Sequence, residues 1–308
     1  MPLTIEEAIE RVPFLAGRSD LAIHPLTGGI TNLNFKVESG EGTFVIRITG
    51  ADTNLLGINR QAEYTANLEA GKLGIAPEVL YFIEPEDYLV TRFIHGSTVP
   101  PPEMRKRENL NRVAGKLRLF HEKASPLPAE FNAFRSIEQL VAASRSHQCT
   151  FPRDFDWIAE RVSKVERVLL KIPYRPSPCH DDLLNLNFLD EGGELRILDW
   201  EYAGMGDIFF DLANFSHHHE LNDEQIEQFL QSYFGEARPA DKARLRLMWP
   251  VSEVHEALWG TLQSGISKLD EDFVGYANHW FDLATTALKD ERWKSWMDAA
   301  ATSGKRMG

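Results

Sequence analysis

His180-Asp181-Asp182-Leu183-Leu184-Asn185-Leu186-Asn187, followed by Ile197-Leu198-Asp199-Trp200-Glu201, carries the chemistry of this chain. Asp182 stands two positions after His180 and five before Asn187, and the apolar Ile197-Leu198 pair ends on a carboxylate. Phosphoryl transfer uses such a set. One carboxylate orients the acceptor hydroxyl, while an amide oxygen and a second carboxylate hold the magnesium that neutralises phosphate charge. Three fixed positions arise by chance in roughly 4% of chains this long, so the spacing needs support from its surroundings.

The step of five to Asn187 selects Asp182 over its neighbour Asp181 as the group that orients the hydroxyl and takes its proton late. Asn187 and Asp199 are the expected Mg²⁺ ligands, both hard oxygen donors. Glu201 lies on the same side as Asp199 if the chain stays extended, where it would touch a second metal or the substrate, or be a surface carboxylate. His180 is given a loop-shaping role through backbone hydrogen bonds and no chemistry. Asp207 is placed as the cap of a helix over Ile208–His218, and Asp211, one turn in, as a support behind the catalytic loop.

Outward from this motif the chain divides in two. Between Leu21 and Ile48 apolar residues alternate, as at Phe35/Val37 and Phe44/Ile46/Ile48, around the turn Ser39-Gly40-Glu41-Gly42. A helix over Asn59–Leu73 and strands over Val79–Ile83 and Tyr88–Ile94 follow, and Thr4 with Glu7 opens a short first helix. Pro100-Pro101-Pro102 then punctuates the chain, and helical periodicity takes over, as at Leu110/Val113/Leu117/Phe120 and Ile226/Phe229/Leu230/Tyr233. The expected architecture is α+β and bilobal. Residues 1–95 form a small β-rich nucleotide-binding lobe, and residues 96–308 a larger, mostly helical catalytic and substrate-binding lobe.

The bulk numbers narrow the class. A net charge of −13 argues against nucleic acid and is compatible with a cationic small substrate or simply an acidic surface. Only Cys149 and Cys179 occur, which suits a reducing cytoplasm. No apolar run is long enough for membrane insertion, and the first residues lack the apolar stretch of a signal peptide. His217-His218-His219 is internal and reads as native sequence. A homodimer is an open option.

In the first lobe, Gly28-Gly29-Ile30-Thr31-Asn32 sits between strands, where glycines let backbone amides approach phosphates and Thr31 and Asn32 donate to oxygens. Arg47, on the next strand, is placed against the α/β-phosphates, with Glu63 on the following helix as its partner. Thr91-Arg92-Phe93-Ile94-His95-Gly96 ends the lobe as a hinge, putting Arg92 and Ile94 beside the adenine of ATP, which would bond backbone groups. The last third holds Trp249, Trp259, Phe273, Tyr276, Trp280, Phe281, Trp293 and Trp296. Such residues pack cores, and they also bind ammonium groups on their faces, with Glu253, Glu256, Asp270 or Asp272 to supply charge.

Together these residues resemble the choline/ethanolamine kinase group within the aminoglycoside phosphotransferase-like branch of the kinase fold, over most of the chain from Leu26 to Tyr276. The loop at Gly28, the arginine-bearing strand Val45-Ile46-Arg47-Ile48, Cys179-His180-Asp181-Asp182-Leu183 with Asn187, and Asp199 with Asp211-Leu212-Ala213-Asn214 carry the likeness. So do Trp259-Gly260, Gln263-Ser264, Ile266-Ser267 and Tyr276-Ala277. The resemblance implies an ATP- and Mg²⁺-dependent kinase acting on the hydroxyl of a small cationic alcohol, choline first. Trp259 and Tyr276 become substrate-site residues, joined by Trp280 and Glu201. Asp181 replaces the group's usual Asn, and Leu262 a second Trp of the cage, so the cage is thinner or completed by Trp280 or Phe281. Thiamine, ethanolamine or an aminoglycoside remain alternative acceptors, and a catalytically silent nucleotide-binding protein remains the alternative class.

Overall fold

The computed structural model describes residues 3–26, 32–50, 53–172 and 174–301. The Gly28–Thr31 part of the glycine loop, Thr31 included, lies outside them. The chain opens with helix α1 (Ile5–Glu10), whose Thr4 and Glu7 form the expected capping box. Strands β1 (Ala22–Leu26), β2 (Asn32–Ser39), β3 (Gly42–Thr49), β4 (Val79–Ile83) and β5 (Tyr88–Arg92) build an antiparallel sheet in the order β1-β2-β3-β5-β4. Alternation fixes its faces. Val37, Phe44, Ile46, Ile48 and Val90 bury themselves against Ala8, Ile9, Val12 and Leu15 of the first segment. Arg47, between Ile46 and Ile48, therefore faces the other way.

Helix α2 (Arg60–Lys72), capped by Asn59, runs between β3 and β4. Beyond β5 the chain passes Gly96, where a Cβ would meet the Asp190 carbonyl oxygen at 2.7 Å. Only glycine lets the two backbones approach this closely. Strand β6 (Ser97–Thr98) follows, then α3 (Pro101–Met104), α4 (Arg107–Lys123), α5 (Ala133–Ser146) and α6 (Phe155–Leu169). The catalytic segment is a set of short strands: β7 (Ser177–Cys179), β8 (Phe188–Glu191), β9 (Glu194–Ile197) and β10 (Gly204–Gly206). β6 pairs with the β8–β9 hairpin, and β7 with β10. Helices α7 (Ile208–His218), α8 (Asp223–Phe234), α9 (Pro239–Ile266), α10 (Phe273–Leu288) and α11 (Trp293–Ala301) complete the chain.

α9 is the axis of this half: α5, α7, α10 and α11 all pack on it. It is buried nearly all round its middle turns, where Ser252, Glu253, His255 and Glu256 lie enclosed among apolar neighbours. The larger core takes in Leu110, Val113, Leu117 and Phe120 of α4 and Ile226, Phe229, Leu230 and Tyr233 of α8, the stripes that periodicity picks out. It also takes in Ala66, Ala70, Ile75 and Ala76 from before residue 95. The Ile197 N–H donates to the Ile75 carbonyl at 2.8 Å, joining the two regions through backbone.

Candidate active site

The catalytic loop is held from behind by α7. Asp207 caps that helix by accepting from the Phe209 N–H at 3.1 Å. One turn on, the Asp211 carboxylate accepts from the backbone N–H groups of His180 (2.9 Å) and Asp181 (2.7 Å). It also meets the His121 ring at 2.9 Å, and that ring reaches the Tyr233 hydroxyl at 2.6 Å. Burial pushes the Asp211 carboxyl up, but its bonds to the His121 ring and the His180 backbone N–H outweigh it, and its pKa falls. Asn214 accepts from the Leu183 N–H and donates to Ser252 at 3.0 Å. Three backbone N–H groups, of His180, Asp181 and Leu183, thus anchor a loop in which Asp181 itself has φ +67°.

His180 joins this loop to the next segment. Its Nδ1 accepts from the Asp182 N–H at 3.2 Å, so Nε2 carries the proton and donates to the Leu198 carbonyl at 2.8 Å. Burial lowers its pKa and keeps the ring neutral. The ring lies 4.4 Å from that of Trp200, which is wholly buried. The Asn187 amide donates to the Asp182 carbonyl at 2.9 Å.

At Asp199 the chain does not stay extended. Its φ is +63°, and a turn follows in which Ala203 N–H donates to Trp200 O. Glu201 is therefore reached round a corner, where it accepts from Asn32 at 2.8 Å and pairs with Arg60 at 3.2 Å. Arg60 also binds Glu63 (2.6 Å) and Asn32 (3.0 Å). Arg47 does pair with Glu63, at 2.6 Å, and equally with Asp199, at 2.9 Å. Burial alone would depress the guanidinium's pKa, but Asp199, Glu63 and Glu201 together raise it far above its ordinary value. Arg92 is ion-paired with Glu78 at 2.9 Å on an exposed part of the sheet, and Ile94 follows Phe93, whose N–H donates to Thr43.

Across from Asp182, α9 and α10 form an aromatic wall. Tyr276 stands 5.6 Å from Trp259 and 6.1 Å from Trp280, ring centre to ring centre. A Cβ at Gly260 would strike the Tyr276 ring at 2.6 Å, so this glycine lets the two helices close. Trp259 donates to the Tyr202 hydroxyl at 2.9 Å. Leu262 is fully buried core, and Phe281 is buried against Phe155.

Of the acids offered by sequence, one joins the site. Glu256 accepts from the Tyr276 hydroxyl at 2.8 Å and lies 3.4 Å from His218 Nε2. Carboxylate or imidazole atoms of Asp182, His218 and Glu256 fall within 4.8 Å of one another. Burial raises the Asp182 pKa well above the usual range, helped by the charges of Glu256, Asp199 and Glu201. For Glu256 burial is outweighed by His218 and Tyr276, and its pKa falls. Glu253 instead accepts from Trp249 at 2.7 Å, Asp272 caps α10, and Asp270 is exposed.

The partly buried Asp182 carboxylate, Arg47 paired with Asp199 and Glu63, and the Glu256-bearing aromatic wall are thus brought together. The family model for choline/ethanolamine kinase matches residues 23–285. The chain belongs to the choline/ethanolamine kinase family. Members of this family are phosphotransferases acting on alcohol groups, and the fold is the bilobal, protein-kinase-like α+β fold. A choline/ethanolamine kinase family protein from Mesorhizobium loti shares 30% identity over 97% of this chain and 98% of that one, with a TM-score of 0.84. Protein LicA of Haemophilus influenzae is 25% identical, covering 85% of this chain and 79% of its own. Choline kinase LicA from Streptococcus pneumoniae shares the fold, with a TM-score of 0.78 at 22% identity, covering 92% and 97% of the two chains.

Three residues that contact these groups are not marked out in the sequence analysis. Arg60 had a signal, since it precedes Glu63 by three positions on one helix. His121 and His218 reach the site across α4 and α7, and no local pattern marks them.

Proposed function

We propose that this kinase transfers the γ-phosphoryl group of ATP to the hydroxyl of a small cationic amino alcohol, choline first. The observation that carries the reading is the ionised Glu256 beside Asp182, backed by Trp259, Tyr276 and Trp280. A quaternary ammonium group is bound by aromatic faces with a carboxylate close at hand. That geometry would set the alcohol end of the same molecule against Asp182.

In this reading Asp182 orients the hydroxyl and accepts its proton late in the transfer. Burial, helped by the charges of Glu256 and the other nearby acids, raises the proton affinity of Asp182, which suits that task. Asn187 and Asp199 fit Mg²⁺. Their amide and carboxylate oxygens are hard donors on two segments that His180 ties together. Mg²⁺ supplies charge neutralisation at the phosphates, with Glu201 as the further acid nearby. Arg47, braced by Glu63, clamps the phosphates, and Thr31 and Asn32 donate to them. Ile94 presents backbone to the adenine, with Arg92 at the edge. The paucity of cysteine favours a reducing cytoplasm, and a homodimer is compatible with this scheme. No helix among the described residues is long and apolar enough to cross a membrane.

The test is ADP release with MgATP across choline, ethanolamine, thiamine, homoserine and aminoglycosides. Saturable release with choline supports the reading. Release with a different alcohol keeps the mechanism and overturns the ammonium wall. Absence of both release and Mg²⁺-dependent nucleotide binding would mean a silent nucleotide-binding homologue.

A further inference from the structure

The wall opposite Asp182 contains a titratable group that the transfer itself does not use. His218 ends α7 with its side chain only 8% exposed. Its Nε2 lies 3.4 Å from Glu256, and its ring centre 5.0 Å from Trp280 and 4.2 Å from His217. It belongs to the set of three whose ligating atoms fall within 4.8 Å, Asp182 and Glu256 being the others.

The charges around it leave few other cations for Glu256. Among the described residues no lysine or arginine side chain ion-pairs with Glu256 within 4.0 Å; His218 is its one basic partner. On α9, His255 is kept neutral by burial and meets Ser136 at 2.9 Å, while Glu253 is held protonated up to about 8. On α10, Tyr276 donates to the other Glu256 oxygen. On α7 itself, burial depresses both His217 and His219, the latter to about 3. With His218 neutral, two carboxylates therefore face one small volume; with His218 charged, one of them is paired.

We propose that the His218 imidazolium and the ammonium group of the substrate compete for the Glu256 carboxylate, making His218 a specificity-determining residue for cationic alcohols. The inference rests on the cationic acceptor argued above. Linkage then gives the sign: acid protonates His218 and weakens the ammonium's hold, and a bound ammonium lowers the proton affinity of His218. An uncharged alcohol of choline's shape, 3,3-dimethylbutan-1-ol, has no charge to lose by this and should bind independently of His218.

The experiment is NMR of histidine-labelled protein, with the His218 signal identified by its loss in His218→Gln. Saturating choline should lower the His218 midpoint by about one pH unit or more, equivalent to a tenfold competition. In parallel, calorimetry should show choline affinity falling about tenfold in all as pH drops through that midpoint in the wild type, and by less than about twofold in His218→Gln. The neutral alcohol should show no such fall in the wild type, a control that needs no variant to fold. An unmoved midpoint, or the same pH dependence with the neutral alcohol, overturns the competition. If choline and ethanolamine bind at no pH, the functional reading falls with it; binding that leaves His218 unmoved removes the competition alone.

Discussion

In the proposed transfer Asp182 orients the acceptor hydroxyl, and its surroundings predict what its loss does. Asp182→Ala removes the group that orients the hydroxyl while leaving Arg47 and Asp199 in place. Turnover should fall about 10³-fold or more, with MgATP affinity within a few-fold, measured by single-turnover kinetics and nucleotide titration. Normal turnover would remove Asp182 from its role. Tyr276→Phe keeps the ring but takes a hydrogen bond from the buried Glu256 carboxylate. A bond to a charge contributes about 1.5–3 kcal/mol, so KM for the cationic alcohol should rise about tenfold or more with kcat little changed. An unchanged KM would separate Glu256 from substrate binding.

At the scale of elements, the site is two clamped pairs. Asp211 clamps α7 to the catalytic loop through two backbone N–H groups and His121. Asp211→Ala leaves those donors buried without an acceptor, and should cost about 3–5 kcal/mol in denaturant unfolding. Gly260 clamps α9 to α10, and Gly260→Ala forces its new methyl against Tyr276. Overpacking of this kind costs about 1–3 kcal/mol and should raise KM as Tyr276 is displaced; an unaltered melting temperature and KM would refute the tight fit. These pairings also mark what sequence could show. The candidates Asp182, Asn187 and Asp199 could be picked out because a loop motif is local, and the brace at Asp211 was legible because it sits one turn into a capped helix. Arg60, His121 and the choice of Glu256 over Glu253 depend on which helix faces which. The corner at Asp199 was hidden for another reason: a left-handed φ at a non-glycine residue leaves no mark in sequence.

For the whole molecule, one buried acid ties stability to pH. Glu253 titrates at about 8 because burial disfavours its charge, and its second oxygen has no hydrogen-bond partner. Its folded value lies above the unfolded 4.5, so the fold binds a proton that the unfolded chain releases between those limits. Stability should therefore decline as pH rises from about 4.5 to about 8, then level off. Glu253→Gln should remove much of that slope, raising the melting temperature at pH 8 more than at pH 5; equal shifts at both would refute it.

α2 has a mechanical consequence. Tyr64 stacks on Phe82 of β4 at 4.2 Å on one side, while Ala66 and Ala70 sit in the core shared with α4 and the catalytic segment. The helix is a crank between the two bodies rather than a passenger on the sheet. Just past the end of α2, Ile75 fastens the chain to Ile197, so a rotation of the sheet relative to the helical half would turn about α2. Glu63 and Arg60 ride on that crank, so any such rotation would change the grip on Arg47 and on Glu201 in the same stroke.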